Sequence, residues 1–329
     1  MKLHERLDIP LSVIDEAMAD VILSDPDLPS SSIIRDSVLR LIASGGKRLR
    51  PMLVIIGGRF GRKTKESKLL RTAVLMEYLH MASLVHDDII DGARMRRGEI
   101  ALHRRTGVYT AALIADYMIA RALEWTQTAY DEDSEDEQRL SHELAALASQ
   151  LCLGEYRQMR CAFDFDITLR LYVAKTRQKT AMLMASCLKA GAEAAQADER
   201  TAELLYRIGD ALGMAFQIQD DILDFVQSDE ALGKPAGADL RNGNITLPVL
   251  LALQDPELGD AIRRLHPQSL QKEFDEVISA IAASPAIEKA MRIRDRYTEY
   301  AERLLRKLHH FPAHEDLTVM LHALSNRSA

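Results

Sequence analysis

Apolar residues recur every three or four positions over most of this chain, which is helical spacing. Between Gly61 and Gly92 the positions Leu69, Ala73, Met76, Leu79/His80, Ser83/Leu84 and Asp87 follow the rule and predict one long helix with an acidic C-terminal end. From Val108 to Leu153 neither Gly nor Pro interrupts the pattern; only "DEDSEDE", Asp131 to Glu137, reads as a loop feeding a helix N-terminus, so two antiparallel helices are expected. Further helices are expected at about Thr168 to Ala190 and Thr201 to Val226, then around Ile245 to Ala252, Leu270 to Ala282 and Glu288 to Leu308. No proline occurs between Pro51 and Pro235, which favours long helices, and the glycines read as helix stops. The expected fold class is all-α: a single large helical bundle, residues 1–329 as one domain, with a two-domain split as the weaker option.

Composition narrows the partners. With 329 residues and 47% apolar content the chain can bury a large core. Its net charge of −7, without a block of Lys and Arg, argues against nucleic acid. Cys152, Cys161 and Cys187 are odd in number, lack CxxC spacing, and are expected as small core residues in a reducing compartment. Neither a signal-type N-terminus nor a run of about 18 apolar residues occurs, so a soluble cytoplasmic chain without a transmembrane segment is expected.

The chemistry concentrates in "LVHDDIIDGARMRRG", Leu84 to Gly98. At about 100° per residue Asp87 and Asp91 share one helix face and Asp88 flanks them. The bland reading is a solvated helix end, yet acidic side chains at a C-terminus oppose the helix dipole. "FQIQDDILDF" repeats the pattern with Asp220, Asp221 and Asp224 on a second apolar helix. Six carboxylates facing one cavity need cations, and oxygen-only ligands suit Mg²⁺, which bridges carboxylates to substrate phosphates. "GGKRLRP" offers Lys47, Arg48 and Arg50 beside two glycines, as phosphate ligands or as an ordinary helix C-cap. Arg96 and Arg97 follow the first acidic cluster by a short loop. His80, seven residues before Asp87, reads by itself as a core histidine. Lys179 and Thr180 precede an apolar stretch, and spacing alone does not separate them from Lys175 and Thr176. Gln217 lies one turn before Asp220, either as a buried amide or toward the site. "LGKPAGADLRNGNITLP" carries Lys234, Asp239 and Arg241 in a Gly-rich loop that either closes over a phosphate or merely connects helices.

"GGKRLRP", "HMASLVHDDIIDGARMRRG", "KTA", "FQIQDDILD" and "GKPAGADLRNGNITLP", in this order, resemble the trans-isoprenyl diphosphate synthase (polyprenyl synthetase) family over nearly the whole chain. The resemblance implies a helical bundle of the isoprenoid synthase type with a central active-site cavity. It implies Mg²⁺-dependent head-to-tail condensation of isopentenyl diphosphate with an allylic diphosphate such as farnesyl diphosphate. Lys47, Arg50, His80 and Arg97 would hold the isopentenyl diphosphate. Asp87, Asp88, Asp91, Asp220, Asp221 and Asp224 would hold three Mg²⁺ ions, which Mn²⁺ may replace in such enzymes. Arg96, Lys179, Thr180, Gln217 and Lys234 would contact the allylic substrate. The residues expected to act in catalysis are Asp87, Asp91, Arg96, Lys179, Asp220 and Lys234. Small residues at Ala82 and Ser83, where the family's short-chain members carry an aromatic block, imply a medium to long product, hexaprenyl to octaprenyl; a farnesyl or geranylgeranyl synthase is the shorter alternative.

A homodimer through "YTAALIADYMIARALE" is expected, or a heterodimer with a small regulatory subunit. "EIALH" after "RRG", Gly92-Ala93 after the first motif, and the end "ALSNRSA", with only Arg327 for a basic tail, depart from the family pattern. A terpene cyclase would carry a different second metal motif and need no isopentenyl site; a non-catalytic partner subunit would lack these aspartates and arginines.

Overall fold

The computed structural model describes residues 2–63, 65–127, 134–227 and 236–325. The all-α expectation holds. In chain order the helices are α1 (Leu3–Arg6), α2 (Leu11–Leu23), α3 (Ile33–Ala43), α4 (Leu49–Gly58), α5 (Glu66–Ile90), α6 (Leu102–Thr106), α7 (Val108–Gln127), α8 (Ser134–Arg160), α9 (Leu169–Thr176), α10 (Met182–Ala194) and α11 (Glu199–Val226). Shorter and longer helices follow at Ala238–Arg241, Leu247–Ala252, Pro256–Arg263, Gln271–Ala283, Pro285–Leu305 and His314–Ser325. No helix of the described residues is long and apolar enough to cross a membrane.

The chain divides into two compact units. The first comprises Met1–Cys152, Leu183–Tyr206 and Phe311–Asp316; the second comprises Leu153–Met182, Arg207–His310 and Leu317–Ala329. In the first, α5 is the central element and packs against α2, α4, α6 and α7. Its sequence explains that place. Ala73, Val74, Leu75, Met76, Tyr78, Leu79, Met81, Ala82 and Val85 are all buried, so the helix is apolar on every side and needs neighbours all round. Each large side chain buried there contributes roughly 1.5–3 kcal/mol. The buried polar residues of α5, Thr72, Glu77, His80 and Asp88, are thereby taken out of water and require partners. The second unit has its own core, where Ile218, Ile222 and Phe225 of α11 meet Tyr172, Leu247 and Ile278.

Three sequence expectations need correction. The helix expected over 168–190 is interrupted by a π-turn at Arg177–Ala181 between α9 and α10. Glycine does not mark helix ends throughout: Gly154, Gly191 and Gly213 lie inside α8, α10 and α11. At Gly191 an added Cβ would collide with the carbonyl of Val54, and at Gly213 it would lie 2.5 Å from Ala181 Cα, so these glycines permit backbone-to-backbone approach of helices. Of the cysteines only Cys187 is buried; Cys161 is half-buried and Cys152 exposed, because the latter two fall on the outward side of α8 and just past its end.

A two-stranded ribbon that periodicity did not suggest follows α5. Met95–Arg96 pairs antiparallel with Glu99–Ile100, Met95 opposite Ile100 and Arg96 opposite Glu99. The connecting residues Arg97 and Gly98 both have positive φ, 51° and 81°, the backbone signature of a tight hairpin turn.

Candidate active site

α5 ends in a hydrogen-bonded stop. Gly92 is left-handed (φ 61°), its N–H donates to Ile89 O, and the N–H of Ala93 donates back to Asp88 O at 3.0 Å. This is a Schellman cap, and it accounts for the Gly92-Ala93 departure in the first motif. The three aspartates then differ in exposure: Asp88 is buried, Asp87 half-buried, and Asp91, the C-cap residue, exposed. Arg96 from the ribbon compensates them. Its Nε donates to Asp88 Oδ1 at 2.8 Å, its Nη2 bonds the same oxygen, and Nη2 lies 3.5 Å from Asp87 Oδ2. Arg96 is thus already paired with Asp88 and Asp87.

Arg97 turns the other way. Its guanidinium lies over the Gly45-Gly46 backbone and donates to the Gly45 carbonyl; a Cβ on Gly46 would stand 2.7 Å from Arg97 Cζ. Gly46 has φ 145°, a conformation that calls for glycine, whereas the guanidinium end of Arg97 could give way to a Cβ. The C-cap reading of "GGKRLRP" and the ligand reading thus separate by residue. Arg48 is buried and anchors the turn through Asp15, Glu77 and the Ile42 carbonyl. Lys47 is exposed and Arg50 half-buried at the start of α4.

His80 sits under this basic group. Burial and the neighbouring charges of Arg50, Arg97, Arg96 and Arg48 hold its imidazole well below the usual histidine range, so it is neutral at physiological pH. A neutral imidazole among arginines can donate one hydrogen bond to an anion without adding to the repulsion.

In the second unit α11 carries the other motif. Asp220 is half-buried, whereas Asp221 and Asp224 are buried. Asp221 Oδ2 accepts from Tyr172 Oη at 2.6 Å, and its Oδ1 accepts from Gln217 Nε2 at 3.1 Å. Thr180 Oγ1 donates to Gln217 Oε1 at 2.7 Å. Thr180, Gln217 and Asp221 therefore form one chain of hydrogen bonds. Burial, with Asp239 nearby, pushes the Asp221 carboxyl up to about 6. Asp224 Oδ2 accepts from the Asp239 N–H at 3.1 Å.

The two Lys-Thr pairs are now distinct. Lys175 is buried, and its Nζ donates to Asn244 Oδ1 at 2.6 Å and to Ile245 O at 3.1 Å. Lys179 is more accessible and pairs with Glu155 at 3.3 Å. In an unbroken α-helix two lysines four apart would share a face; the π-turn at Arg177–Ala181 changes their register. Gly154 on α8 and Gly213 on α11 make room for that turn. Arg241 is tied to Asp275 and to the Ala236 carbonyl, which fits the connecting reading of its loop. Lys234 and Arg327 lie outside the described residues.

Sequence reasoning passed over Glu77, Glu155 and Tyr172. Glu77 had a signal: it is a lone carboxylate inside the apolar run from Leu69 to Leu84, and a buried carboxylate demands a cation. Among the described residues no three His, Cys, Asp or Glu side chains converge as a ready metal cage. The donor set is carboxylates without His or Cys, with Asp87, Asp91 and Asp220 half-buried or exposed, and it fits Mg²⁺, which takes one or two carboxylates and completes its shell with water and substrate phosphate.

The sequence model of the polyprenyl synthetase family matches residues 31–282. Heptaprenyl diphosphate synthase component 2 of Geobacillus stearothermophilus is 42% identical over 270 residues, covering 82% of each chain. Component 2 of the same enzyme from Bacillus subtilis is 35% identical over 321 residues, 98% of this chain and 89% of that one. The crystal structure of heptaprenyl diphosphate synthase from Staphylococcus aureus superposes with a TM-score of 0.88 at 31% identity, covering 100% of this chain and 99% of that one. Together with the cap, the arginine ribbon and the two acidic helices, these likenesses place the chain in the polyprenyl synthetase family, as a prenyltransferase.

Proposed function

We propose that this prenyltransferase condenses isopentenyl diphosphate head-to-tail with an allylic diphosphate, farnesyl diphosphate being the expected primer, and releases an all-trans polyprenyl diphosphate of hexaprenyl to octaprenyl length. The observation that carries the reading is the organisation of α5. One helix presents neutral His80 near Arg50 and Arg97, and two turns later the half-buried Asp87, beside Arg96. A basic patch for one diphosphate and carboxylates for a metal-bound second one are what two diphosphate substrates require. Heptaprenyl synthase relatives support the chain length.

The residues fall into roles. Lys47, Arg50, His80 and Arg97 bind isopentenyl diphosphate. Arg96, Lys179 and Lys234 bind the allylic diphosphate and balance charge as it leaves. Asp87, Asp88, Asp91, Asp220, Asp221 and Asp224 are the Mg²⁺ ligands, Asp87, Asp91 and Asp220 from accessible positions and the buried three by orienting them. Bound magnesium supplies electrostatic stabilisation of the departing diphosphate. Thr180 and Gln217 offer uncharged oxygens toward the allylic cation, which they stabilise without capturing it; the isopentenyl double bond then attacks, and a proton is lost to the departed diphosphate. No nucleophilic side chain is required, since positioning and preorganised charge carry the reaction. The reading treats residues 1–329 as one catalytic domain in a cytoplasmic enzyme.

The decisive experiment incubates the purified chain with farnesyl diphosphate, radiolabelled isopentenyl diphosphate and Mg²⁺, and resolves products by length. A polyprenyl ladder that excess EDTA abolishes supports the proposal; cyclised hydrocarbon overturns it. We propose a homodimer as the active form. The relatives' designation as "component 2" favours one second reading, a catalytic subunit that needs a small partner. A folded, dimeric chain that is inert alone would support that reading.

A further inference from the structure

Two arginines in the first unit hold left-handed backbone conformations, Arg48 at φ 48° and Arg97 at φ 51°. Non-glycine residues pay for this geometry, and it persists only where surrounding contacts over-determine it. At Arg48 those contacts are complete. Its Nε donates to Asp15 Oδ1 at 2.7 Å, its Nη1 to Glu77 Oε1 at 3.1 Å, and its Nη2 to the Ile42 carbonyl at 2.8 Å. Arg48 and Glu77 are almost inaccessible, with side-chain exposures of 1% and 2%. The second carboxylate oxygen of Glu77 has no hydrogen-bond partner among the described residues, and burial pushes this carboxyl above the usual range against the opposing charges of Arg48, Arg50 and Arg97.

We propose that Glu77 and Arg48 form a buried positioning clamp, which locks the turn from Gly45 to Leu49 and so aims Lys47 and Arg50 at one diphosphate. Neither residue touches substrate. The inference rests on the assignment of Lys47 and Arg50 to isopentenyl diphosphate. Asp15 on α2, Arg48 and Arg50 from the turn and α4, Arg97 from the ribbon, Cys187 on α10 and His80 on α5 itself are the charged or titratable groups around the clamp.

Glu77→Gln keeps the shape and one acceptor but removes the charge. It should raise the KM for isopentenyl diphosphate about tenfold, leave the KM for the allylic substrate and kcat within about twofold, and be rescued in part by Glu77→Asp. Asp15→Asn, at a partner with 40% side-chain exposure, should give a smaller rise in the same KM and carries the test alone if Glu77→Gln does not fold. Wild-type KM for isopentenyl diphosphate in both folded variants, or equal effects on both substrates, would overturn the clamp. Lys47→Ala serves as the reference: if it too leaves that KM unchanged, the substrate assignment itself has failed, and if it raises it while Glu77→Gln does not, only the clamp has.

Discussion

Tyr172 on α9 donates its hydroxyl hydrogen to Asp221 Oδ2 at 2.6 Å, so the middle residue of the second acidic motif is oriented from a neighbouring helix. Leu247 N–H reaches the same oxygen only at 3.4 Å, and Gln217 occupies the other. Tyr172→Phe would leave Asp221 Oδ2 without its close donor in a buried site. The variant should lose about 1–3 kcal/mol of stability and need several-fold more Mg²⁺ for half-maximal turnover, with the KM for isopentenyl diphosphate unchanged. Denaturant melts and a magnesium titration check this; an unchanged magnesium requirement would assign Tyr172 to packing alone.

The three aspartates of the first motif should separate by burial. Asp87→Ala removes a half-buried carboxylate and should cut turnover by orders of magnitude while the melting temperature holds. Asp88→Ala removes the closest partner of Arg96 from a buried position and should lower both turnover and stability. Asp220→Ala should behave like Asp87→Ala. Paired measurement of kcat and thermal unfolding distinguishes the classes, and a stable, fully active Asp87→Ala enzyme would remove the metal-ligand assignment.

His80 makes a prediction about acid stability. Its imidazole is held neutral in the folded protein, whereas the unfolded chain protonates it at the ordinary value of 6.5. Below about pH 6.5 the unfolded state therefore binds more protons than the folded one, and stability falls as pH drops. His80→Asn, neutral throughout, should flatten the decline between about pH 7 and pH 5. Parallel pH profiles for the two proteins would contradict the assignment of that titration to His80.

Most alanines of α7 do not line an outer surface, so a homodimer through this helix would have to use other residues. Ala111, Ala115 and Ala122 are buried together with Ile114 and Met118, so they serve the inside of their own unit. The exposed large apolar residues of α7 are Val108, Tyr109 and Leu113, the last two 87% and 65% exposed. Large apolar side chains in that position are what an interface buries. Leu113→Glu should therefore convert a dimer into monomers in sedimentation at micromolar concentration without lowering helix content. A wild-type chain that is itself monomeric would defeat the homodimer proposal.

What could be read from the residues alone follows from physics. Apolar spacing located α5, α7, α8 and α11 because a buried helix repeats its signal over several turns. The acidic and basic motifs stood out because charge in an apolar run is costly and must be explained. The π-turn at Arg177–Ala181 and the ribbon around Arg97-Gly98 were hidden, since each depends on tertiary contact: glycines on neighbouring helices admit the first, and pairing of two short strands makes the second. Nor does spacing distinguish Arg48 from Arg50, or Lys175 from Lys179. Only the partners do, Glu77 and Asp15 for Arg48, Asn244 and Ile245 for Lys175.

Product length tests the helix pair α5 and α7, which pack directly against each other in the first unit. A growing prenyl chain must run away from the aspartates along apolar surface, and the proposed route passes Leu84, Ser83, Ala82, Leu79 and Met76 on one helix and Ala111, Ala112 and Ala115 on the other. Ala82 is fully buried, whereas Ser83 is half-buried, its Oγ donating to the His80 carbonyl at 2.8 Å. The two positions should therefore respond differently to an aromatic ring. Ser83→Phe adds bulk at a half-buried position, so condensation should continue while products shorten toward farnesyl and geranylgeranyl diphosphate. Ala82→Phe forces a ring into a filled site and should cost about 1–3 kcal/mol of stability in addition to shortening the product. The readouts are the product ladder from labelled isopentenyl diphosphate and thermal unfolding of each variant. A ladder unchanged in both variants would show that the small residues serve helix packing and that chain length is limited elsewhere; a wild-type product no longer than geranylgeranyl diphosphate would show that the route is already closed.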